Sequence, residues 1–227
     1  IPFEERGPRL NETIEVLRKA WATGRYDHSG RFFDIPDLTV HPMPVQSGGP
    51  PILVGGTSPP AIRRAAQQGD AWYSLPMETL PVVTELAAQY RAECARVGRE
   101  PRIVLMREAW VAPSREAVER EWLDRALGFH KYYWEAGTEG DVHDPVLQRV
   151  ASGERVDYET FARDRSIAGT PEFCIEELRR WHEAIGFDEI NLMFLTNKHT
   201  ANDALGGGGS AQEAMRLFAK EVMPEFA

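Results

Sequence analysis

Residues 50–73 read PPILVGGTSPPAIRRAAQQGDAWY, a stretch in which two apolar runs flank a glycine pair and a helical pattern. The run ILV ends at Gly55 and Gly56, and residues 58–68 carry apolar side chains at helical spacing. The segment DAWYSL at 70–75 is again apolar and aromatic, which predicts a second strand. We therefore predict two strands joined by a helix, the connection that parallel strands require.

The same alternation continues along the chain. Four predicted strands lie near residues 51–54, 70–75, 102–112 and 188–195, and helical patterns separate them. Nearly all residues of these strands are apolar, as expected for strands buried on both faces of a parallel sheet. The pattern predicts an α/β fold and leaves open the choice between a doubly wound sheet and a β/α barrel.

Three segments depart from this alternation. In residues 24–50, Gly, Pro and Asp alternate with apolar side chains, which predicts short extended pieces and one hairpin. Residues 138–165 are polar and weakly periodic, and we predict a mobile insertion there. The tail from residue 206 predicts a glycine-rich hinge and a last helix.

The amino-acid composition limits the classes of protein to which the chain can belong. With 227 residues, 42% hydrophobic and 27% charged, the chain can bury one sizeable core, and we predict a single domain over residues 1–227. The net charge of −9 disfavours nucleic acid and anionic membrane as partners, because both would repel an acidic surface. A small-molecule substrate is the expected partner.

The chain carries neither an apolar run of bilayer length nor a signal-peptide pattern at its start, so we predict a cytoplasmic protein. Cys94 and Cys174 are far apart and lie in helical patterns, which predicts two reduced, buried thiols. The six histidines show no metal-ligand spacing, and we predict no metal site.

The turn VGGTSPP is the strongest chemical motif. Two glycines at the end of a parallel strand permit a tight turn, and Thr57 and Ser58 offer hydroxyls where Pro59 begins a helix. A phosphate would fit there, and a plain turn with Ser58 as helix cap explains the residues equally well. The segment lacks the Gly-Lys-Ser/Thr of a Walker loop and the glycine spacing of a dinucleotide fold.

Two further groups of residues have both a functional and a structural interpretation. Arg107 and Glu108 lie inside an apolar strand, where charges are costly unless they are paired or face a wet barrel mouth. An aromatic cluster near the end of a predicted helix could cover a flavin or substrate, or could simply pack at a helix end or a subunit contact. Its members are Phe129, His130, Tyr132, Tyr133 and Trp134.

Four segments in this order resemble the bacterial luciferase-like monooxygenase family, and the resemblance covers nearly the whole chain. It is strong at 7–75 and 167–195 and weak at 138–165. The segments are RGPRLNETIEVLRKAW at 6–21, HSGRFFDI at 28–35, HPMPVQSGGPPILVGGTSPPAIRRAAQQGDAWY at 41–73 and IAGTPEFCIEELRRWHEAIGFDEINLMF at 167–194.

The resemblance implies a TIM barrel that binds FMN or the deazaflavin coenzyme at the carboxyl ends of its strands. In that family the Gly-Gly-x-Ser turn lies on the cofactor, and this role carries over to Gly55, Gly56, Thr57 and Ser58. Trp72 and Ser74, at the end of the next strand, would line the same mouth. The family's first four strands contribute much of the contact to the flavin ring and the substrate, so no catalytic acid or base can be transferred to this chain.

The chain also departs from the family. Its members have four more β/α units before the segment RGPRLNET, and a complete barrel needs eight units and typically about 250 residues. Only the C-terminal half, about four β/α units with an insertion and a C-terminal helix, is recognisable here. We expect a flavin- or deazaflavin-dependent oxidoreductase acting on a small organic substrate.

Two alternatives stay open, and with them whether this chain alone is an enzyme. The first is a non-catalytic half-barrel or binding module that needs a partner chain, either a second copy or the missing N-terminal half. The second is a sugar-phosphate barrel enzyme that binds its substrate phosphate at Gly55 and Gly56.

Overall fold

The computed structural model describes residues 1–137, 144–195 and 211–226. By its internal contacts the chain divides into two compact units. The first comprises Ile1–Tyr73 and Ala88–Arg102, and the second comprises Ser74–Ala87 and Ile103–Ala227. The prediction of a single domain stays a prediction, and each unit is described by itself below.

The first unit contains an antiparallel hairpin and a parallel βαβ element. Strands β1 and β2 pair antiparallel with an irregularity between Tyr26 and His28, and β3 and β4 pair parallel with Val54 opposite Trp72. Helix α3, Leu80–Val97, contributes its C-terminal half to this unit. The other elements are a 3-10 turn Phe3–Glu5, α1 Arg6–Thr23, β1 Arg25–Ser29, β2 Asp34–Thr39, β3 Leu53–Gly55, α2 Pro59–Gln68 and β4 Ala71–Tyr73.

Two carboxylates tie the elements of the first unit together. Asp70 accepts hydrogen bonds from the backbone N–H of Ile52 at 2.7 Å and from Nη2 of Arg18 at 2.9 Å, which joins α1 to the start of β3. The second carboxylate is that of Glu12, which accepts the backbone N–H groups of both residues 32 and 33 and lies 2.9 Å from Nε2 of His28. Burial pushes the pKa of Glu12 upward, but these hydrogen bonds prevail and its pKa is lowered.

The second unit is built around strand β5. Strand β6 pairs parallel with the end of β5, and β7 pairs parallel with its first part, from Val104 opposite Glu189 to Glu108 opposite Met193. The elements are β5 Ile103–Val111, α4 Arg115–Val118, a π turn Glu119–Leu123, α5 Asp124–Glu135, α6 Pro145–Ala151, α7 Tyr158–Ala162, β6 Ile167–Gly169, α8 Pro171–Ile185, β7 Glu189–Met193, α9 Ala211–Leu217, a π turn Phe218–Val222 and a 3-10 turn Met223–Phe226.

The core of the second unit lies on both sides of β5, where every residue except Met106 is buried. Three tryptophans, Trp110, Trp122 and Trp181, are completely buried. Helix α8 begins after Thr170, whose hydroxyl accepts the N–H of Phe173 as a helix cap. Strand β5 is therefore shielded from water on both faces, as parallel strands normally are.

The four predicted strands are confirmed as β3, β4, β5 and β7, and the predicted hairpin is confirmed as β1 and β2. Strand β6 is an addition, because three residues are too short to give a periodic signal. The predicted helix that ends near the aromatic cluster is divided into α4, a π turn and α5. Within the described residues, no helix is both long and apolar enough to span a bilayer.

The segment predicted as a mobile insertion lies partly outside the described residues, which exclude 138–143. Residues 144–165 contain α6 and α7, with Leu147, Val150 and Phe161 buried. Mobility of the segment stays a prediction, although its described part is ordered by packing. The predicted glycine-rich hinge at 206–210 also lies outside the described residues.

Candidate functional site

The turn after β3 has a backbone that glycine alone adopts easily. Gly56 has φ of +126°, and a Cβ at that position would lie 2.6 Å from the Cβ of Ala61. At Gly55 a Cβ would meet only the backbone oxygen of Tyr73, at 3.5 Å. The second glycine is therefore required by the turn, whereas the first leaves an open space beside the backbone.

Trp72 supports this turn from within the first unit. Its side chain is completely buried, and its Nε1 donates a hydrogen bond of 3.0 Å to the carbonyl oxygen of Gly56. Its ring also packs against Tyr90 at a centroid distance of 6.0 Å. The structure thus places Trp72 against the glycine turn, where it is a buried support. Direct contact between Trp72 and a cofactor stays a prediction.

The hydrogen-bond donors at this turn differ from those expected at the start of a helix. Pro59 and Pro60 occupy the first two positions of α2 and have no N–H group, and the N–H of Ala61 already donates to the oxygen of Ser58 at 2.9 Å. The expected unpaired helix amides are therefore absent from the first turn. The side chain of Ser58 does not cap the helix, which leaves its hydroxyl available.

The donors that remain are sufficient for an anion of phosphate size. The N–H groups of Gly56, Thr57 and Ser58, and the two hydroxyls, make no hydrogen bond within the part of the chain that the structure describes. Successive backbone N–H groups in a turn with one residue at positive φ form a concave anion site. The residues at this turn therefore fit the phosphate end of FMN or of the deazaflavin coenzyme.

Ser74 belongs to the second unit and is 1% exposed. Its Oγ accepts the backbone N–H of Met106 at 3.0 Å, and its own N–H donates to the oxygen of Val104 at 3.0 Å. The side chain thus fixes the segment that follows β4 to the middle of β5. A role for Ser74 in binding a cofactor stays a prediction.

Arg107 is completely buried in β5 and binds the segment that follows β4, a few residues beyond Ser74. Its Nη1 donates to the oxygens of Pro76 at 2.9 Å and Glu78 at 2.8 Å, and the guanidinium lies 4.3 Å from the ring centroid of Trp181. Burial lowers the pKa of Arg107 to about 9, against the opposing effect of Glu78 and Glu108. The sequence signal, a charge inside an apolar strand, correctly marked this residue as unusual.

Glu108 lies beside His130 of α5. The distance from Nε2 of His130 to Oε1 of Glu108 is 2.8 Å, and both side chains are at most 1% exposed. The ring of His130 also packs against Phe129 and Phe161, with centroid distances of 5.6 and 5.1 Å. The structure thus joins two features that the sequence presented separately, the charged strand and the aromatic cluster.

A buried ion pair between Arg165 and Asp144 was missed by sequence reasoning. Nη2 of Arg165 lies 2.5 Å from Oδ2 of Asp144, and both residues are buried. They lie within the segment that was predicted to be a mobile insertion, and no periodic or motif signal connects two positions 21 residues apart. Within the described residues, no group of three or more side chains could hold a metal ion.

A protein-family model described as luciferase-like monooxygenase matches residues 1–189. The chain belongs to this family. The resemblance inferred from the four sequence segments is therefore confirmed, and members of the family are the relevant comparison for its fold and site.

Two curated relatives illustrate the range of the family. The oxygenase component of flavin-dependent trigonelline monooxygenase from Acinetobacter baylyi is 24% identical over 230 residues, which cover 97% of this chain and 61% of the relative. The F420-dependent glucose-6-phosphate dehydrogenase of Nocardia farcinica is 23% identical over 189 residues, covering 80% of this chain and 53% of the relative. One relative is named for a flavin and the other for a deazaflavin.

A solved structure confirms the fold. An F420-dependent secondary alcohol dehydrogenase in complex with an F420–acetone adduct has a TM-score of 0.70 and 16% identity, over 100% of this chain and 64% of that protein. The chain is an α/β protein of the TIM-barrel type that corresponds to part of the barrel. It spans about three fifths of the length of such relatives.

Proposed function

We propose that the chain is the cofactor-phosphate half of a luciferase-like oxidoreductase that uses FMN or the deazaflavin coenzyme on a small organic substrate. The observation that carries the proposal is the turn after β3, where the N–H groups of three consecutive residues, Gly56, Thr57 and Ser58, and two hydroxyls have no hydrogen-bond partner among the described residues. The names of the relatives, one flavin-dependent and others F420-dependent, support the choice of cofactor.

In this proposal the residues of the turn bind the cofactor phosphate, and the buried residues hold the turn in place. Gly55 leaves space for the ligand, Gly56 gives the turn its shape, and Trp72 holds the carbonyl of Gly56 from below. The bound cofactor would supply the chemistry, either hydride transfer or oxygen activation. The protein would position the cofactor and the substrate and exclude water from them. Cytoplasmic location and self-association remain predictions.

Titration of the purified protein with FMN and, separately, with the deazaflavin coenzyme tests the proposal. We expect the fluorescence of one of them to change with saturation, and inorganic phosphate to compete. The variant Gly56→Ala should lose binding because the turn is distorted. Gly55→Ala should leave the turn intact but weaken binding, because its methyl group enters the space left for the ligand. If neither cofactor binds the wild-type chain, the proposal is wrong for this chain. Binding of phosphate alone would favour the sugar-phosphate alternative.

A second candidate function is that of a half-barrel that works with a partner chain. In the second unit, strand β7 pairs with β5, and no other described strand pairs with it. An apolar groove of about 830 Å³ lies between α8, β7 and the last helical segment, and Met223 and Phe226 on its rim are exposed. Open strand edges and apolar grooves of this kind normally require a covering chain.

The mass of the particle in solution tests the second candidate. Light scattering after size-exclusion chromatography should give a dimer or a complex if a partner chain is needed. A monodisperse monomer that binds FMN would contradict the partner requirement and would leave the first proposal in place.

A further inference from the structure

Arg107 and Glu108 point to opposite faces of β5, because successive side chains of a strand alternate. The guanidinium of Arg107 lies over Trp181 of α8, the helix that connects β6 to β7. In a β/α barrel these connecting helices cover the outer face of the strands. Glu108 therefore lies on the inner face, on the second half of β5, toward the carboxyl end where barrel sites are built.

Helix α5 and the turn before it cover this inner face. Nε2 of His130 lies 2.8 Å from Glu108. Two residues further along β5, on the same face, Trp110 donates from Nε1 to Glu121 at 3.3 Å and stacks under Arg125 at 4.7 Å. On the inner face, β5 thus contacts the π turn and α5 at two positions along the strand, Glu108 and Trp110.

The contact between Glu108 and His130 costs more free energy of desolvation than a contact between apolar side chains would. Both polar groups are buried, and a buried polar group costs free energy unless a partner in good geometry compensates it. Neither oxygen of Glu108 accepts a well-directed hydrogen bond from the described residues. Apolar side chains of similar volume would stabilise such a contact at least as well, whereas a polar pair adds a preferred orientation.

A π turn at Glu119–Leu123 precedes α5. One π turn adds a residue to the helical ladder, so the residues after it are rotated relative to a continuous α-helix. Phe129 and His130 of α5 are both buried, and the ring of Phe129 packs against Tyr133 at a centroid distance of 4.6 Å. The position of these rings depends on how α5 is fixed to the strand.

We propose that Glu108 and His130 are a positioning pair that fixes α5 over the inner face of β5 and so holds the rings of Phe129 and Tyr133 as one wall of the substrate space. The assignment of that space rests on the proposed oxidoreductase function, whereas the fixing of α5 does not. A wall of this kind suits a substrate with a flat or conjugated ring, because aromatic faces stack on one another.

Hydrogen–deuterium exchange measured by mass spectrometry tests the pair without any cofactor. In Glu108→Gln and in His130→Gln, we expect the amides of α5 to lose about tenfold or more of their protection, while those of α8 change little. The double variant should lose no more than either single variant, because both remove the same contact. Glu135→Gln, on the same helix in an exposed ion pair with Lys131, is the matched control and should behave like wild type.

Replacing both Glu108 and His130 by leucine distinguishes a role in positioning α5 from a contribution to stability alone. In Glu108→Leu/His130→Leu we expect an unchanged or higher thermal midpoint together with lost protection of α5, because apolar packing replaces the energy but not the orientation. Wild-type protection of α5 in this variant, or additive effects of the two glutamine variants, would overturn the proposal. If the leucine pair does not fold, the comparison of the glutamine variants decides. Failure of FMN to bind the wild type would remove only the proposed function.

Discussion

The indole Nε1 of Trp72 lies 3.0 Å from the carbonyl oxygen of Gly56 and donates a hydrogen bond to it. Trp72 is in the middle of β4 and completely buried, whereas Gly56 has left β3 and has φ of +126°. A side chain of one strand thus holds the turn that follows its neighbour. This hydrogen bond fixes the peptide segment whose amides would bind the phosphate in the proposed function.

Replacing Trp72 by Phe should loosen the turn. The variant keeps an aromatic ring but leaves the carbonyl of Gly56 without its donor, at a cost of about 1–2 kcal/mol beyond the lost packing. Trp122→Phe is the matched control, because Trp122 is also completely buried and its Nε1 has no hydrogen-bond partner within the described residues. Urea denaturation and FMN titration should both show the larger loss for Trp72→Phe. Equal losses in the two variants would mean that the hydrogen bond contributes nothing.

The two glycines of the turn should respond differently to alanine. Gly56→Ala places a Cβ 2.6 Å from the Cβ of Ala61 and forces a side chain into positive φ, so we expect a loss of about 1–3 kcal/mol in the free energy of unfolding. Gly55→Ala meets only the oxygen of Tyr73 at 3.5 Å and should be tolerated. Thermal denaturation of both variants checks this order, and a reversed order would show that the turn has a different backbone.

Arg107 should be indispensable for the segment after β4. Arg107→Met removes the donor to Pro76 and Glu78 and the buried positive charge near the carboxylates of Glu78 and Glu108, which predicts a loss of about 3–5 kcal/mol. Arg107→Lys should lose less, since an ammonium group still donates to the carbonyls but stacks poorly on Trp181.

The control for Arg107 is Arg115→Met, because Arg115 is half exposed and forms surface ion pairs that contribute under about 1 kcal/mol. Urea denaturation compares the three variants with wild type. Stability of Arg107→Met equal to that of the control would contradict the assigned role.

Cys174 should make the protein less stable in alkali. Burial raises the pKa of this thiol to about 12 from an ordinary 9.0, so between these values the unfolded chain releases a proton that the folded chain retains. The contribution of the thiol is complete below pH 9 and is lost as the pH rises toward 12. Tyr90 and Tyr158, whose pKa values burial also raises to about 12, act in the same direction above pH 10.

Comparison of wild type with Cys174→Ala isolates the thiol. The variant should lose less stability than wild type between pH 9 and pH 11 in urea denaturation. Iodoacetamide should modify neither Cys174 nor Cys94 in the folded protein, because both are buried. Rapid alkylation of Cys174 without urea would show that it is exposed.

The parallel strands were predictable because each is a compact apolar run between turn residues, a signal that is local in the sequence. The turn at Gly55 and Gly56 was predictable for the same reason. The supporting bond from Trp72 was not, because it joins positions 16 residues apart and a buried tryptophan reads simply as a core residue. The effect of Pro59 and Pro60 on the helix amides was readable in the sequence and was overlooked.

The contacts within the segment after β5 could not be predicted from local sequence patterns either. Its helices are short, and its buried ion pair joins Asp144 to Arg165 across two of them. Polar residues in weakly periodic stretches normally indicate solvent exposure, and only tertiary structure can show that two of them neutralise each other inside the protein. The pairing of Glu108 with His130 was hidden in the same way, although each residue was recognised as unusual.

Pro59 and Pro60 have one more consequence for the proposed phosphate site. With no N–H at either position, the site consists of backbone amides and hydroxyls of Gly56, Thr57 and Ser58, all of them electrically neutral. Such a site distinguishes ligands by the arrangement of their oxygen atoms more than by their charge. Its affinity should accordingly vary little with ionic strength in the FMN titration, and Thr57→Ser, which keeps both the amide and the hydroxyl at position 57, should be silent.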